Sequence, residues 1–139
     1  MGQLDAYDFF RAIAEETDSP VTIDLGHVLS YQWLRRRTGD RMFEGLERLP
    51  LAHCFEMHLS GCQITGGKFR DLHHGVLLDE QLALLEHLLP RCPNLRSITY
   101  EDPKYTDDGV LLAKAIPNYE RLRQIAAQWR KERQSDNQA

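Results

Sequence analysis

Carboxylates and imidazoles occur together at four places in this sequence. Asp24-Leu25-Gly26-His27 follows a β-branched run, and Glu56-Met57-His58-Leu59-Ser60-Gly61 sets a histidine beside an acid. Arg70-Asp71-Leu72-His73-His74-Gly75 joins an aspartate to two histidines, and Tyr100-Glu101-Asp102 closes another short apolar run. Anionic oxygen neutralises a cation while neutral imidazole nitrogen donates directionally, so such a set suits iron, manganese or zinc. The candidate metal ligands are Asp24, His27, His58, Asp71, His73 and Glu101; His74 and Cys62 are candidates for assisting the chemistry beside them.

Each of these residues also has a plainer role. Asp24 can cap a turn, and His58 can be a hydrogen-bonded histidine in an apolar strand. Asp71, His73 and His74 can be solvated loop residues, Glu101 and Asp102 can be turn residues before Pro103, and Cys62 can be a packed thiol. Four clusters at corresponding positions favour the metal. Of the other histidines, His53 begins a strand and His87 lies in a Leu-rich helix, so both read as packing or surface residues. Arg35-Arg36-Arg37 and Arg130-Lys131 with Arg133 read as solvated helix faces. Neither a nucleotide-binding glycine pattern nor a serine nucleophile elbow is present.

Alternating helices and strands must bring these clusters together. Leu4 to Glu16 has helical spacing, with Phe9, Phe10, Ile13 and Ala14 on one side. Val21-Thr22-Ile23 predicts a buried strand ending near Asp24. Tyr31 to Arg37 is mixed, Thr38-Gly39-Asp40 predicts a turn, and Met42, Phe43, Leu46 and Leu49 predict a short helix closed by Pro50. Ala52 to Leu59 predicts a second strand, and Gly61, Gly66 and Gly67 mark a loop that continues to His74. Leu82, Leu85, Leu88 and Leu89 predict a helix with Asp79 as its N-cap. Ser97 to Tyr100 predicts a third strand, and Asp107 to Ile116 and Tyr119 to Arg133 predict helices separated by Pro117.

That order predicts a single α/β domain over residues 1–133, a parallel sheet with covering helices, and a polar, disordered tail over 134–139. Strands of a parallel sheet turn their C-terminal ends to one common face, where ligands bind. Asp24, His27, His58 and Glu101 lie at or just beyond such ends, and Asp71 and His73 lie in the loop between the second and third strands.

Composition narrows the function classes. The 139 residues suit one domain, and 21 acidic against 17 basic residues give a net charge of −4, which argues against a nucleic-acid surface. The longest apolar stretches, such as Gly75 to Leu78 and Leu82 to Leu85, fall far short of the roughly 20 residues of a membrane span. Met1 is followed at once by Gly2, Gln3, Leu4 and Asp5, unlike a signal peptide, so a cytoplasmic location is expected. The three cysteines, Cys54, Cys62 and Cys92, match neither a disulfide scaffold nor a paired zinc motif and read as free thiols.

The pieces Thr22-Ile23-Asp24-Leu25-Gly26-His27, Phe55-Glu56-Met57-His58-Leu59-Ser60-Gly61, Arg70-Asp71-Leu72-His73 and Ile98-Thr99-Tyr100-Glu101-Asp102 together resemble the C-terminal half of the multinuclear non-heme iron-dependent oxidases. Those are TIM barrels related to xylose-isomerase-like metal barrels. The resemblance extends from about Leu4 to Trp129, and its most specific part is Glu-x-His-Leu-x-Gly followed by Asp-x-His. It implies that Asp24 and His27 bind metal from the first strand end, His58 from the second, Asp71 and His73 from the loop, and Glu101 from the last. It also implies two or three iron ions, activation of dioxygen, and modification of a ribosomally made peptide presented by a separate leader-binding protein.

A closed barrel of this kind needs about 250 residues, so the expected fold is a partial, half TIM barrel. Its strand edges and apolar face require cover, which predicts self-association or pairing with a separate N-terminal half-barrel chain. A metal-dependent isomerase or phosphodiesterase of the wider barrel group, or a non-catalytic assembly subunit, are the competing functions.

Overall fold

The computed structural model describes residues 4–73, 75–101, 113 and 115–136. Helix α1 (Ala6–Thr17) begins at Asp5, whose side chain accepts from the Tyr7 N–H, and it leads into strand β1 (Val21–Asp24). Asp24 ends β1 and at the same time caps helix α2 (Leu25–Leu34), accepting from the N–H groups of Gly26 and His27. Helix α2 overlaps the mixed stretch from Tyr31 only in its last turn and otherwise covers residues 25–30, for which the sequence predicts no element. Leu25, Val28 and Leu29 are buried while Leu34 is exposed, so its apolar residues do not form the single stripe by which a helix is recognised.

The predicted short helix around Met42 to Leu49 is instead three 3₁₀ turns, Gly39–Phe43, Leu46–Arg48 and Leu51–His53. Gly45, at φ +79°, separates the first two and breaks the helical path. Strand β2 (Cys54–Leu59) follows. The segment read as a loop contains a hairpin, β3 (Cys62–Thr65) and β4 (Lys68–Asp71), so Asp71 ends a strand rather than lying in a loop. Its two-residue turn is Gly66-Gly67 at φ +59° and +69°, the positive-φ pair that tight hairpins require. A signal of two adjacent glycines between short, partly polar strands is as consistent with a loop as with a hairpin.

Helix α3 (Asp79–Leu88) starts one residue earlier than predicted. Asp79 is its first residue, and Gln81 Oε1 accepts the Leu78 N–H at 2.9 Å in place of the expected Asp79 cap. Strand β5 (Ser97–Tyr100) lies where the sequence placed it. Helix α4 (Ile116–Asp136) takes Pro117 into its first turn, where no amide donor is needed, and runs past Arg133 into the stretch read as a disordered tail. The predicted helix over Asp107 to Ile116 falls almost wholly outside the described residues, as does His74.

The protein is therefore a mixed α/β fold: a three-stranded parallel sheet in the order β1-β2-β5, alternating with helices, plus a separate antiparallel hairpin. Ile23, Met57 and Ile98 are register partners across the sheet and face the core with Leu25, Leu84, Leu85 and Leu88 of the covering helices. Alternation along each strand puts Thr22 and Asp24, Glu56 and His58, and Thr99 on the opposite, partly exposed face. One face of the sheet makes the core and the other is polar. Among the described residues no helix is long and apolar enough to cross a membrane.

Candidate metal centre

The register of the sheet sets the geometry of the site. Asp24 on β1 lies directly beside His58 on β2, and Thr99 on β5 lies beside His58 on its other side. Glu101 follows two residues after Thr99, and its N–H donates to the Leu59 carbonyl at 2.8 Å, which continues the strand direction just past β5. Three parallel strand ends thus deliver an aspartate, a histidine and a glutamate to one place. Their ligand atoms all lie within 4.8 Å of one another.

The hairpin builds a second group. His27, in the first turn of α2, and His73, just after β4, both direct Nε2 at the same oxygen of Asp71, at 3.1 and 3.2 Å. Their rings meet edge-on with centroids 5.4 Å apart. Asp71 is about four-fifths buried while the two imidazoles are mostly exposed, so the carboxylate forms the floor and the histidines the rim. His73 adopts φ +53°, a left-handed conformation that a branched-ring side chain takes at a cost, and Asp71 Oδ1 supports it by accepting the His73 N–H at 3.3 Å.

All six residues expected as ligands are thus brought together, as two triads: Asp24, His58 and Glu101 on the sheet, and His27, Asp71 and His73 on the hairpin side. Asp24 and His27 join the triads through the first turn of α2, because the His27 N–H binds Asp24 Oδ1 at 3.0 Å. Three carboxylates and three imidazoles form a donor set that suits a divalent cation. The hairpin triad has the two-histidine, one-carboxylate composition of non-heme iron sites, and the oxygen-richer sheet triad suits iron, manganese or zinc. The residues present fit such a metal.

Close packing supports the site from behind. A Cβ on Gly26 would stand 3.1 Å from Asp24 Oδ1 and 3.2 Å from Cys62 Sγ, so a larger residue there would make both side chains give by a few tenths of an ångström. Cys62 is buried, and burial first, then the charges of Asp71 and Asp24, push its thiol up to about 12. It remains a neutral thiol at physiological pH and lies behind the carboxylates. Ser60 is wholly buried in the same spot, and its hydroxyl has no hydrogen-bond partner among the described residues. Gln81 anchors this connection by donating to the Ser60 carbonyl at 2.8 Å.

Glu56, part of the second cluster in the sequence but not one of the six expected ligands, lies against the site. Its carboxylate lies 3.2 Å from His58 Nε2 and accepts from the Thr99 hydroxyl at 2.8 Å and the Thr22 hydroxyl at 3.2 Å. The Thr99 bond, followed by the neighbouring His58 and the Thr22 bond, holds it below the usual carboxylate range against the opposing effect of burial. The usable signal was period two: Glu56 and His58, like Thr22 and Asp24, must share a sheet face.

The remaining candidates stand apart. His53 pairs with Asp18 at 3.5 Å, and His87 stacks on Phe43 with burial lowering its pKa. Cys54 and Cys92 are free thiols, both buried and in mutual contact, which pushes Cys92 up. A cavity of about 310 Å³ runs along the outer side of β1, walled by Tyr7, Phe10, Ile23, Val28 and Leu49, and reaches Asp24 and His27. A larger hollow of about 860 Å³, beside Phe9, Arg35 and Arg48, includes no triad residue. No protein-family model matches the chain, and no curated protein matches it significantly.

Proposed function

We propose that this protein is a metal-dependent oxidase, or the C-terminal half of one, that holds iron in the two triads and acts with dioxygen on a peptide. The observation that carries this reading is the gathering of six separated side chains into two three-residue donor sets at the C-terminal ends of neighbouring parallel strands. Bound iron would supply electrons to dioxygen and polarise its ligands as a Lewis acid. The chain's own residues then have distinct tasks. Asp71 orients both imidazoles of its triad through one oxygen, and Asp24 fixes the first turn of α2 so that His27 faces the hairpin. Cys62, buried behind the ligands, packs against the start of α2.

The apolar cavity ending at Asp24 and His27 supports a substrate that inserts a side chain of modest size from a peptide. The half-barrel reading draws support from the one-sided helical cover of the sheet and from the ligands gathered at its C-terminal strand ends, because helices cover the outside of a TIM-barrel sheet and its sites lie at that end. Under that reading a second polypeptide, either an N-terminal half barrel or another copy, covers the outer edge of β1.

Anaerobic loading with ferrous iron, followed by metal analysis and light scattering, tests the core of the reading. About two irons per chain and oxygen uptake with a peptide substrate are expected. Failure of iron and manganese to bind or to shift the melting temperature at any protein concentration would refute it. The oxygen-rich sheet triad favours one alternative, a zinc- or manganese-dependent phosphodiesterase or isomerase; phosphoester hydrolysis without oxygen uptake would select it.

A further inference from the structure

A metal-binding histidine must present one ring nitrogen as a lone pair, and the hydrogen bond made by the other nitrogen decides which one. His58 has an acid on each side. Its Nε2 lies 3.2 Å from Glu56 Oε1 on its own strand, and its Nδ1 lies 3.7 Å from Glu101 Oε2 in the sheet triad. Only the first distance is short enough for a hydrogen bond.

Glu56 cannot easily turn away from this bond. The Thr99 hydroxyl on β5 holds the same Oε1 at 2.8 Å, and the Thr22 hydroxyl on β1 holds Oε2 at 3.2 Å. Three adjacent strands therefore clamp one carboxylate, with the acceptor oxygen turned to His58. A carboxylate held only by solvent would have no preferred direction; one fixed by hydroxyls on both neighbouring strands has.

We infer that Glu56 is a positioning residue that keeps the proton of His58 on Nε2 and so turns an unprotonated Nδ1 toward Asp24 and Glu101, readying the sheet triad for a cation. This inference rests on the metal-binding reading above. Thr22 and Thr99 act through Glu56 by fixing its rotamer. Glu56 need not touch the metal to do this.

The test uses the full chain and two readouts. In the metal-free protein at pH 8.5, where imidazole is neutral, nitrogen-15 NMR should show His58 protonated on Nε2 almost exclusively, beyond the Nε2 preference of a free imidazole. Glu56→Met, which keeps the side-chain length but replaces the carboxylate with a weak acceptor, should raise the share protonated on Nδ1, which faces Glu101. The same variant should weaken manganese binding at the sheet triad by about 10–100-fold, the usual consequence of losing such a partner, and leave the His27–Asp71–His73 triad unchanged. Glu56→Gln, which retains one acceptor oxygen, should restore the tautomer and most of the affinity. Should Glu56→Met fail to fold, Glu56→Ala is read by the same two measurements.

A tautomer unchanged in the folded variant, or unchanged manganese affinity, would overturn the inference; a lower melting temperature with both unchanged would mean that Glu56 serves the sheet alone. If the unaltered protein binds no manganese or iron, the metal reading fails, while the tautomer measurement still decides what Glu56 does to His58.

Discussion

At the scale of single residues, the site separates groups that can hold a cation from groups that only surround it. His73 adopts a left-handed backbone, so His73→Gly removes the imidazole without straining the turn, whereas His73→Ala removes the imidazole and keeps the strain. Both should lose metal at the hairpin triad, and His73→Gly should melt at the higher temperature of the two. Cys62 differs in kind. Its thiol is pushed from the ordinary 9.0 to about 12, so the folded state keeps a proton that the unfolded state releases. Its contribution to stability is complete below pH 9 and declines as pH rises from 9 to 12. Thermal melts of the unaltered protein and Cys62→Ala should therefore converge between pH 7 and pH 10. Ser60→Ala deletes a buried hydroxyl without a partner among the described residues and should cost less than about 1 kcal/mol in denaturant unfolding.

At the scale of elements, Asp24 serves two structures at once. As the N-cap of α2 it accepts from Gly26 and His27, and as a member of the sheet triad it would offer a carboxylate to the proposed metal. Serine caps a helix about as well as aspartate but is a poor ligand. Asp24→Ser should hold stability within about 1 kcal/mol and lose metal, while Asp24→Ala should lose metal and a further ~1 kcal/mol of stability, as measured by urea unfolding and metal titration. The hairpin is similarly a positioning device, since it carries Asp71 beside His27. Gly67→Val forces a branched residue into φ +69° and should weaken the hairpin triad in a metal titration while sparing the sheet triad.

Strands β1, β2 and β5 were legible because Val21-Thr22-Ile23, Phe55 to Leu59 and Ser97 to Tyr100 combine β-branched or apolar residues with clear stops. Helix α2 was not, because its apolar residues point in several directions. The hairpin was not, because Gln63, Lys68 and Arg70 dilute its apolar alternation and its pairing exists only between its own two short strands.

At the scale of the whole molecule, metal held by the two triads, as proposed, would couple binding to folding. A cation at one hundred times its dissociation constant stabilises the native state by about 2.7 kcal/mol per site, and a domain of this size gains several degrees in melting temperature for it. Calorimetry with manganese and then with a chelator should show that rise and its reversal, and the combined variant His58→Ala with His73→Gly should show neither. The core should tolerate that double change, since Ile23, Met57, Leu84, Leu85 and Leu88 pack on the other face of the sheet.

Residue types and spacing alone determined which six side chains could ligate a cation, because carboxylate and imidazole chemistry is local to each residue and strand ends are marked by composition. Whether those six meet was decided by the tertiary structure, through strand register and through a hairpin whose pairing no short window of sequence reveals. The same register placed Glu56 against His58 and locked it between Thr22 and Thr99. Contacts between residues 34 and 43 positions apart, such as these two threonine bonds, arise only when separate strands are laid side by side.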